Sequence, residues 1–205
     1  MDAASVLLLS GGIDSVTLLH RLVADGEPVQ GLFLDYGQRG ATQERAAAAA
    51  HCEQLGVELV PLDLAEVGRM FRRGHERKAH VPLPHRNLVA LSLGLSYAAN
   101  LGSRRLCLAV NREDTADYAS ASHAFLAQFR LICGLLGETR LATPFVDLAK
   151  ADVIGLGARL GVDYATTYSC LLGYAAHCGR CPQCRKRREA FAAAGLIEPA
   201  GTYRA

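Results

Sequence analysis

The hydrophobic positions of this chain form short apolar runs that alternate with longer amphipathic stretches. Three of the runs have the length of buried strands, at 5–9, 29–34 and 57–62. Apolar positions with helical spacing separate these runs, at 16–23 and 41–55. Strands and helices in such alternation predict a parallel sheet that is covered by helices on both faces.

The second half of the chain continues the alternation. The pattern predicts extended segments at 106–110 and 141–144, and helices at 87–101, about 123–136 and about 150–160. The fold class is therefore α/β, a Rossmann-like parallel sheet sandwich that ends in a cysteine-rich knuckle. We expect one domain that spans 1–205, with residues 165–190 as a metal-binding appendage.

Two polar stretches interrupt the pattern. Residues 69–84 are rich in arginine, histidine and proline and predict a surface loop, while 111–122 is polar and turn-like. A solvated loop is the preferred interpretation of the first stretch, with the docking of an acidic partner as the alternative. The cations concerned are Arg69, Arg72, Arg73, Arg77 and Lys78.

Composition and charge exclude several classes of protein. Of the 205 residues, 50% are hydrophobic, and 22 Lys and Arg against 20 Asp and Glu leave a net charge of +2. Burial of this much apolar surface can offset the conformational entropy that the chain loses on folding, which excludes a disordered chain. The near-neutral charge makes nucleic acid an unlikely partner, and no apolar run approaches the ~18 residues of a membrane span. We expect a cytoplasmic protein that acts on a small molecule.

The segment 10–15, Ser-Gly-Gly-Ile-Asp-Ser, lies where the first strand leads into the first helix. Amides at a helix N-terminus bind anions, and paired glycines let the backbone approach phosphate oxygens. The segment lacks the lysine of a Walker loop and the glycine spacing of a dinucleotide loop. It is interpreted as a phosphate loop of another kind, with a plain glycine turn and a Ser15 helix cap as the alternative.

Four of the seven cysteines cluster near the C-terminus, with the spacing Cys170-x7-Cys178-x2-Cys181-x2-Cys184. Four thiolates at this spacing indicate a closed, tetrahedral zinc site with a structural role. An iron–sulfur cluster on the same ligands, buried or disulfide-bonded thiols, and His177 as a substitute ligand remain alternatives. The remaining three are interpreted as core residues: Cys52, Cys107 and Cys133.

The loop at 10–15 resembles the pyrophosphate loop of the N-type ATP pyrophosphatases, which have an adenine nucleotide alpha hydrolase-like fold. Enzymes of this group cleave ATP between the α and β phosphates and adenylate a carboxylate or carbonyl oxygen. The resemblance implies ATP and Mg²⁺ as cofactors, with Asp14 as the nearest acidic ligand for the ion. Donors that hold the departing pyrophosphate stabilise the charge that develops on it.

Further motifs follow along the chain and narrow the resemblance. They are Asp35-Tyr36-Gly37-Gln38-Arg39, Pro84-His85-Arg86-Asn87, Val110-Asn111-Arg112-Glu113-Asp114, Thr143-Pro144-Phe145 and Asp147-Leu148-x-Lys150. Together with the loop and the cysteines, they make the chain similar to the 7-cyano-7-deazaguanine synthase (QueC) family over essentially its whole length. That family adenylates 7-carboxy-7-deazaguanine, adds ammonia to form the amide, and activates the amide again to form the nitrile.

The resemblance also implies roles for individual residues. Those expected in catalysis are Asp14, Arg86 and Lys150. Those expected to bind the nucleotide are Ser10, Gly11, Gly12, Ile13, Asp14, Ser15, Asn87 and Asp114, and the four clustered cysteines are expected to bind Zn²⁺. Taken singly, Arg86 and Lys150 could be surface cations and Asn87 a helix cap. Their place at successive strand or helix ends favours the cleft, because ligands of doubly wound sheets lie beyond the strand ends.

The chain departs from the family pattern at three places. Gly40 stands where the family typically has His, and His85 stands where it has Gly. After Asp114 the family typically reads Gly-Tyr-Pro-Asp-Cys-Arg, whereas residues 117–122 read Asp-Tyr-Ala-Ser-Ala-Ser and Phe125 keeps the register. The Asp and Arg that this chain lacks could form hydrogen bonds with a purine edge or a carboxylate. The loss of such groups changes the discrimination between substrates by orders of magnitude.

These departures leave alternative functions open. A diverged ligase could join the adenylated deazaguanine carboxylate, or another acid, to the amine of a small molecule, peptide or protein and stop at the amide. A non-catalytic, zinc-containing nucleotide-binding module is a second alternative. The expected partners are the deazapurine carboxylate, ammonia and a second copy of the chain, because alanine and leucine on several faces of the helix at 87–101 are typical of an interface.

Overall fold

A parallel sheet of five strands forms the centre of residues 3–75 and 83–204, the part of the chain that this computed structural model describes. The strands are β1 (Ser5–Leu8), β2 (Val29–Asp35), β3 (Glu58–Asp63), β4 (Arg105–Cys107) and β5 (Arg140–Ala142), in the order β3-β2-β1-β4-β5. The chain moves outward from β1 to β3 and then returns to place β4 on the other side of β1. This reversal opens a crevice at the carboxyl ends of β1 and β4, where doubly wound sheets bind ligands.

Helices cover both faces of the sheet. They are α1 (Ile13–Ala24), α2 (Ala41–Leu55), α3 (Ala65–Arg72), α4 (Arg86–Asn100), α5 (Arg112–Asp117), α6 (His123–Leu136), α7 (Lys150–Arg159) and α8 (Pro182–Ala193). Successive side chains of β1 point to opposite faces, so Leu7 packs with α1, α7 and α8 while Leu8 packs with α4 and α6. The two apolar cores confirm the predicted α/β sandwich.

Most of the predicted elements are present, with ends displaced by a few residues. Helix α1 begins at Ile13 rather than at 16, because Gly12 is already its N-cap, and β4 ends at Cys107 rather than at 110. The three isolated cysteines are buried and free, which confirms their interpretation as core residues. Among the described residues, no helix combines the length and the apolar composition that crossing a bilayer requires.

The prediction of a surface loop at 69–84 is wrong for residues 69–72, which belong to α3. The Asp63 carboxylate accepts a hydrogen bond from the Ala65 amide at 2.9 Å at the start of this helix. Gly68 then packs against the backbone after β2, where an added Cβ would lie 1.6 Å from the Tyr36 carbonyl oxygen. Local composition does not reveal this tertiary contact. Arg77 and Lys78 lie outside the described residues.

The turn-like prediction for 111–122 is wrong for its first half, which is helix α5. Asn111 Oδ1 accepts from the Asp114 amide at 3.0 Å, and the Asp114 carboxylate accepts from the Asn111 amide at 3.2 Å. This reciprocal capping box satisfies the first amides of a short helix that has no buried residue of its own. Such a helix carries no hydrophobic periodicity that sequence reasoning could detect.

Helix α8 lies within the cysteine-rich tail, for which the sequence analysis predicted no helix. Pro182 occupies its first turn, where the missing amide hydrogen costs no helical hydrogen bond. The buried stripe consists of Cys184, Arg187, Ala190 and Phe191. An arginine inside this stripe breaks the apolar pattern that would otherwise have indicated the helix.

Two buried histidines connect α1 and α2 with the segment that precedes the clustered cysteines. His20 Nε2 lies 3.1 Å from His51 Nδ1, and His51 Nε2 lies 2.7 Å from Thr166 Oγ1. Burial lowers the pKa of His20, and burial together with the neighbouring His20 lowers the pKa of His51 to about 4. Both imidazoles are therefore neutral in the native state at pH 7.

We expect the free energy of unfolding to fall as the pH decreases from 7 to 5. The unfolded chain binds these protons with a pKa near 6.5 and the native state binds them more weakly, so stability is lost as the pH falls from 6.5 toward 4. His51 alone accounts for about 2 kcal/mol at pH 5. Urea denaturation at both pH values measures the loss. His51→Gln removes the titration of His51. If the variant loses as much stability between pH 7 and pH 5 as the wild type does, the attribution of this loss to His51 is refuted.

Candidate functional site

The loop at 10–15 connects β1 to α1 and depends on its first glycine. Gly11 has a φ of +72°, and a Cβ at this position would lie 2.1 Å from the Glu44 carbonyl oxygen of α2. The left-handed conformation and the close approach therefore both exclude a side chain. The Gly11 carbonyl accepts a hydrogen bond from the Tyr168 amide at 2.9 Å, which fixes the loop from its other side.

The serines close this loop on itself. Ser15 Oγ accepts from the Ser10 amide at 3.2 Å and donates to the Gly12 carbonyl at 3.2 Å. The first backbone hydrogen bond of α1 joins the Val16 amide to the Gly12 carbonyl at 3.0 Å, so the three preceding amides have no partner within the helix. Free amides and the positive end of the helix dipole make this position suitable for phosphate.

Asp14 is the point at which three distant segments meet. Its Oδ1 accepts from Asn111 Nδ2 at 3.0 Å, and its Oδ2 forms an ion pair with Lys150 Nζ. Asp14 belongs to α1, Asn111 follows β4 and Lys150 begins α7. The side chains of Asp14 and Lys150 retain only 15% and 16% of their exposure, so the pair is largely removed from solvent.

Asp114 brings a second carboxylate to the same wall of the cleft. Burial and the neighbouring charge of Asp14 raise the pKa of Asp114, and the Lys150 ammonium opposes that rise. Two adjacent carboxylates repel each other unless a cation lies between or beside them. The oxygen donors of this wall fit a hard divalent cation such as Mg²⁺.

Arg86 and Asn87 lie at the start of α4, and neither contacts Asp14. Arg86 Nη1 donates to the Tyr36 hydroxyl at 2.9 Å, and its guanidinium lies 5.8 Å from the centroid of that ring. Asn87 Nδ2 donates to the Ser120 carbonyl at 3.2 Å. The residue before this helix, His85, has a φ of +53°, a left-handed conformation that glycine adopts without strain.

A single cleft collects most of the residues that the sequence predicts for the site. Those that line it are Ser10, Gly12, Ile13, Asp14, Ser15, Arg86, Asn87, Asp114 and Lys150. Gly11 packs beneath the loop instead, against α2. Apolar side chains complete the wall near the strand ends, among them Leu34, Leu64, Leu83, Val89 and Leu108. The cleft is therefore polar at the loop and apolar beyond it.

Sequence reasoning missed several residues of this cleft. Asn111 is 1% exposed and orients Asp14. The sequence indicated it only as a member of the motif at 110–114, without a role of its own. Gln38 and Glu44 line the cleft beside the loop, and Gln38 Nε2 donates to the Glu44 carboxylate at 2.9 Å. Glu44 lies in an alanine-rich helix that seemed purely structural. The position of Asn111 directly after a strand was the one signal available.

The four clustered cysteines form the one group of candidate metal ligands within the described residues. Their sulfur atoms all lie within 4.8 Å of one another, and the Cys178 and Cys184 sulfurs are 3.8 Å apart. Zinc–sulfur bonds of 2.3 Å in a tetrahedron place the sulfurs about 3.8 Å apart. The cluster therefore fits a single tetrahedral ion such as Zn²⁺.

His177 has another role in this region. Its Nε2 accepts a hydrogen bond from the Ser169 amide at 2.9 Å, and the side chain is buried beside Tyr168 and Tyr203. One of its two ring nitrogens is therefore engaged by the backbone, and His177 is not part of the group of candidate ligands. This geometry favours four thiolate ligands over a mixed set that includes His177.

Helix α8 connects the cysteine cluster to the cleft. Lys186 forms an ion pair with Asp117, and Gln183 Nε2 donates to the Tyr118 hydroxyl at 3.2 Å. On the inner face, the fully buried Arg187 donates to Thr167 Oγ1 and to the Tyr164 carbonyl, both at 2.8 Å. Gln183 and Tyr118 both line the cleft. The segment that carries the cysteine cluster and the cleft therefore share a wall.

Comparisons with known proteins agree with this architecture. The model of a family described as queuosine biosynthesis protein QueC matches residues 4–195. A 7-cyano-7-deazaguanine synthase of Thiobacillus denitrificans is 37% identical over 220 residues, which cover 97% of this chain and 98% of the relative. The 7-cyano-7-deazaguanine synthase 1 of Sulfurisphaera tokodaii is 33% identical over 195 residues, which cover 95% of this chain and 96% of the relative.

Solved structures resemble the chain in fold. NMN synthetase from Francisella tularensis matches with a TM-score of 0.55 and 18% identity, covering 98% of this chain and 81% of that chain. The U34-tRNA thiolase NcsA from Methanococcus maripaludis matches with a TM-score of 0.56 and 15% identity, covering 94% of this chain and 65% of that chain. At these identities the likeness is one of fold alone.

We expect the purified chain to contain one equivalent of zinc, measured by elemental analysis, and no iron or acid-labile sulfide. Cys181→Ser should lower the zinc content at least tenfold, because it removes one of four thiolates. Cys133→Ser serves as the matched control, since this buried cysteine lies outside the cluster. Stoichiometric iron with visible absorbance would contradict the zinc assignment and support an iron–sulfur cluster.

Proposed function

The chain belongs to the QueC family, and on this premise we propose that it uses ATP to activate a carboxylate and aminates it with ammonia. The substrate is 7-carboxy-7-deazaguanine, and the product is the amide and then the nitrile, 7-cyano-7-deazaguanine. The names of the curated relatives support this product. The observation that carries the proposal is the junction of Asp14, Asn111 and Lys150 at the N-terminus of α1.

In the proposed first step, a carboxylate oxygen of the acid attacks the α phosphate of ATP and pyrophosphate departs. The amides that open α1 and the hydroxyl of Ser10 hold the departing phosphates at the loop, and Ser15 fixes the loop by its bond to the Gly12 carbonyl. Lys150 adds a fixed positive charge, which Asp14 holds against the cleft wall. Such preorganised donors stabilise charge that develops in the transition state, and this is commonly the largest catalytic term.

Magnesium, when bound by Asp14 and Asp114, supplies further neutralisation of phosphate charge at this wall. Asn111 holds the Asp14 carboxylate in one orientation, and the capping box holds Asp114. Arg86 presents its guanidinium to the cleft from the start of α4, where it can pair with the substrate carboxylate or the adenylate. The chain thus uses two walls, one for phosphates and one for the acceptor.

In the next steps, ammonia attacks the acyl adenylate, and AMP leaves with formation of the amide. A second ATP adenylates the amide oxygen with release of pyrophosphate, and loss of AMP and protons gives the nitrile. Both rounds need the same phosphate loop and the same acceptor position. The apolar part of the cleft excludes water that would hydrolyse the adenylate.

We further propose that the cysteine cluster binds Zn²⁺ in a structural role, within a single domain that includes 165–190 as an appendage. The sulfur geometry supports one tetrahedral ion with no open coordination position. Two of the residues that would hold the ion, Cys181 and Cys184, lie at the start of α8, and α8 places Gln183 and Lys186 against residues 117 and 118. A bound ion would therefore supply rigidity to the wall that the segment shares with the cleft.

The segment 117–122 favours a second candidate function, the transfer of the activated acid to a different amine with arrest at the amide. Asp117 is engaged by Lys186, and Ser122 Oγ is engaged as the N-cap of α6, where it accepts from the Phe125 amide at 3.2 Å. The segment therefore offers the acceptor neither the Asp nor the Arg of the family pattern. An amine on a small molecule, peptide or protein is the alternative acceptor.

The product assay separates these candidates. We expect the protein, incubated with ATP, Mg²⁺, 7-carboxy-7-deazaguanine and ammonium, to form AMP, pyrophosphate and the nitrile, identified by mass spectrometry. AMP with amide alone, or dependence on another amine, would support the second candidate. Absence of AMP with every amine would overturn both and leave a non-catalytic nucleotide-binding module.

Asp14→Asn provides the control for this assay. We expect AMP formation to fall at least about a hundredfold, because the variant loses the anionic partner of Lys150 and an oxygen ligand for magnesium. Bound zinc should stay unchanged, and its simultaneous loss would indicate misfolding instead. Asp25→Asn removes a carboxylate at the opposite end of α1 and should retain full activity.

We also propose that the chain forms a homodimer through apolar faces of α4 and α6. Leu131, Leu135 and Leu136 of α6 are 63%, 85% and 72% exposed, and Leu88 and Leu101 of the α4 region are 41% and 39% exposed. Exposed apolar surface of this extent is typical of an interface rather than of a solvated helix. A second copy presents the same apolar surface and can cover it symmetrically.

Analytical sedimentation measures the oligomeric state and so tests this proposal directly. We expect wild-type protein to sediment as a dimer and Leu135→Glu to sediment as a monomer with unchanged zinc content, since a buried carboxylate at the interface is unfavourable. Gln54→Glu adds the same charge at an exposed position of α2, away from α4 and α6, and serves as the control. A monomeric wild type would refute the dimer.

A further inference from the structure

Glu44 is a carboxylate on the cleft wall that the phosphate chemistry does not use. It lies on α2 beside the phosphate loop, where its carbonyl oxygen occupies the space of a Gly11 side chain. No described cation forms an ion pair with it, although Arg86 is near enough to influence its pKa. A negative charge at this place repels phosphate directly, and a group with N–H donors is a complementary ligand for it.

Gln38 holds this carboxylate in one orientation. Its Nε2 donates to the Leu34 carbonyl at 3.1 Å and to Glu44 Oε2 at 2.9 Å, and its Oε1 accepts from the Tyr36 amide at 2.9 Å. Gln38 is 8% exposed, and these bonds occupy both ends of its amide group. Gln38 is therefore a positioning residue whose hydrogen bonds are all directed inward.

Gly40 leaves room for the other oxygen of the carboxylate. A Cβ at Gly40 would lie 3.1 Å from Glu44 Oε1 and 3.0 Å from Tyr168 Cε1. The glycine thus gives Oε1 a place between the start of α2 and the Tyr168 ring. Burial raises the pKa of Glu44, and the Gln38 hydrogen bond and the nearby Arg86 charge oppose that rise. An oriented carboxylate in a cleft is typical of a ligand-binding group.

The surroundings of Glu44 suit a flat heterocycle. The Tyr36 ring and the Arg86 guanidinium lie in the same wall, and Leu34, Leu64 and Leu83 supply apolar surface. Ligand pockets combine such apolar surface with a few oriented polar groups that determine which ring is bound. A carboxylate accepts two parallel hydrogen bonds when a ligand presents adjacent N–H donors.

We propose that Glu44 recognises the adjacent N–H donors of a 2-amino-6-oxo heterocycle, the edge that 7-carboxy-7-deazaguanine presents through its ring N–H and its 2-amino group. This inference rests on the proposed function, since it assigns the acceptor of the same cleft. Glu44 is then the residue that determines specificity for the heterocycle. The amino group of the adenine ring is another N–H donor, and the experiment below distinguishes the two sources.

Calorimetric titration tests the proposal without turnover. The probes are 7-carboxy-7-deazaguanine, its analogue without the 2-amino group, and ATP, each titrated into the full chain. We expect the wild type to bind the 2-amino compound about tenfold or more tightly than the analogue, because a hydrogen bond to a charged group is lost. Glu44→Gln should reduce this preference to near unity and leave the ATP affinity unchanged.

Glu53→Gln provides the matched control, because it makes the same charge change at an exposed position of α2. This variant should keep the wild-type preference. An unchanged preference in Glu44→Gln would overturn the proposal, as would loss of ATP affinity, which would assign Glu44 to adenine. A raised KM for ammonium alone would assign it to the nucleophile and also overturn the proposal.

The outcomes that bear on the proposed function differ from those that bear on recognition by Glu44. Failure of the wild type to bind either deazapurine overturns both inferences. Binding that depends on the 2-amino group and on Glu44, without AMP formation, overturns the proposed reaction and supports the recognition by Glu44. AMP formation with equal affinity for the two deazapurines overturns the recognition alone.

Discussion

The arrangement of the cleft depends on one carboxylate, that of Asp14, which is largely removed from water. Removal of a charge from water is unfavourable unless opposite charge and hydrogen bonds replace the lost hydration. For Asp14 these come from Lys150 and Asn111, which lie far away in sequence. The loop after β1, the end of β4 and the start of α7 must therefore come together before the carboxylate is satisfied. The fold therefore brings these three segments together at the N-terminus of α1.

A second constraint comes from Arg187, which is fully buried and lies on the inner face of α8. Its guanidinium donates to Thr167 and Tyr164 and forms an ion pair with Glu198. These bonds attach the cysteine segment to the body of the domain, so that Gln183 on the outer side of α8 becomes part of the cleft. The segment that carries the cysteine cluster thus contributes a wall of the candidate site.

Much of the fold could be predicted because its signals are local. The apolar runs of β1, β2 and β3 and the spacing of α4 and α6 carry their own periodicity, so element type and order follow from hydrophobic burial. The errors occurred where local signals are absent. Helix α3 depends on the contact of Gly68 with the backbone after β2, and α5 depends on the capping box of Asn111. Neither contact leaves a periodic pattern.

The candidate site divides in the same way. Its phosphate loop and its cysteine cluster are contiguous in sequence, because a helix N-terminus and a small metal knuckle each need only short-range geometry. The wall of the cleft that holds Glu44 is assembled from β2, α2 and α4, so the orientation of Glu44 by Gln38 could not be inferred before the fold was known. The departure at Gly40 was evident from the sequence, whereas its consequence, room for Glu44 beside Tyr168, was not.

The sequence by itself therefore determined the parallel α/β class, the glycine-rich loop between β1 and α1 and the grouping of the four cysteines, since each arises from neighbouring residues. The tertiary structure decided which polar groups meet across the cleft. It paired Asp14 with Lys150, brought Asp114 near them and joined α8 to residues 117 and 118. The physical reason is that charges and hydrogen bonds act over a few ångströms of space, whatever the separation of the residues along the chain.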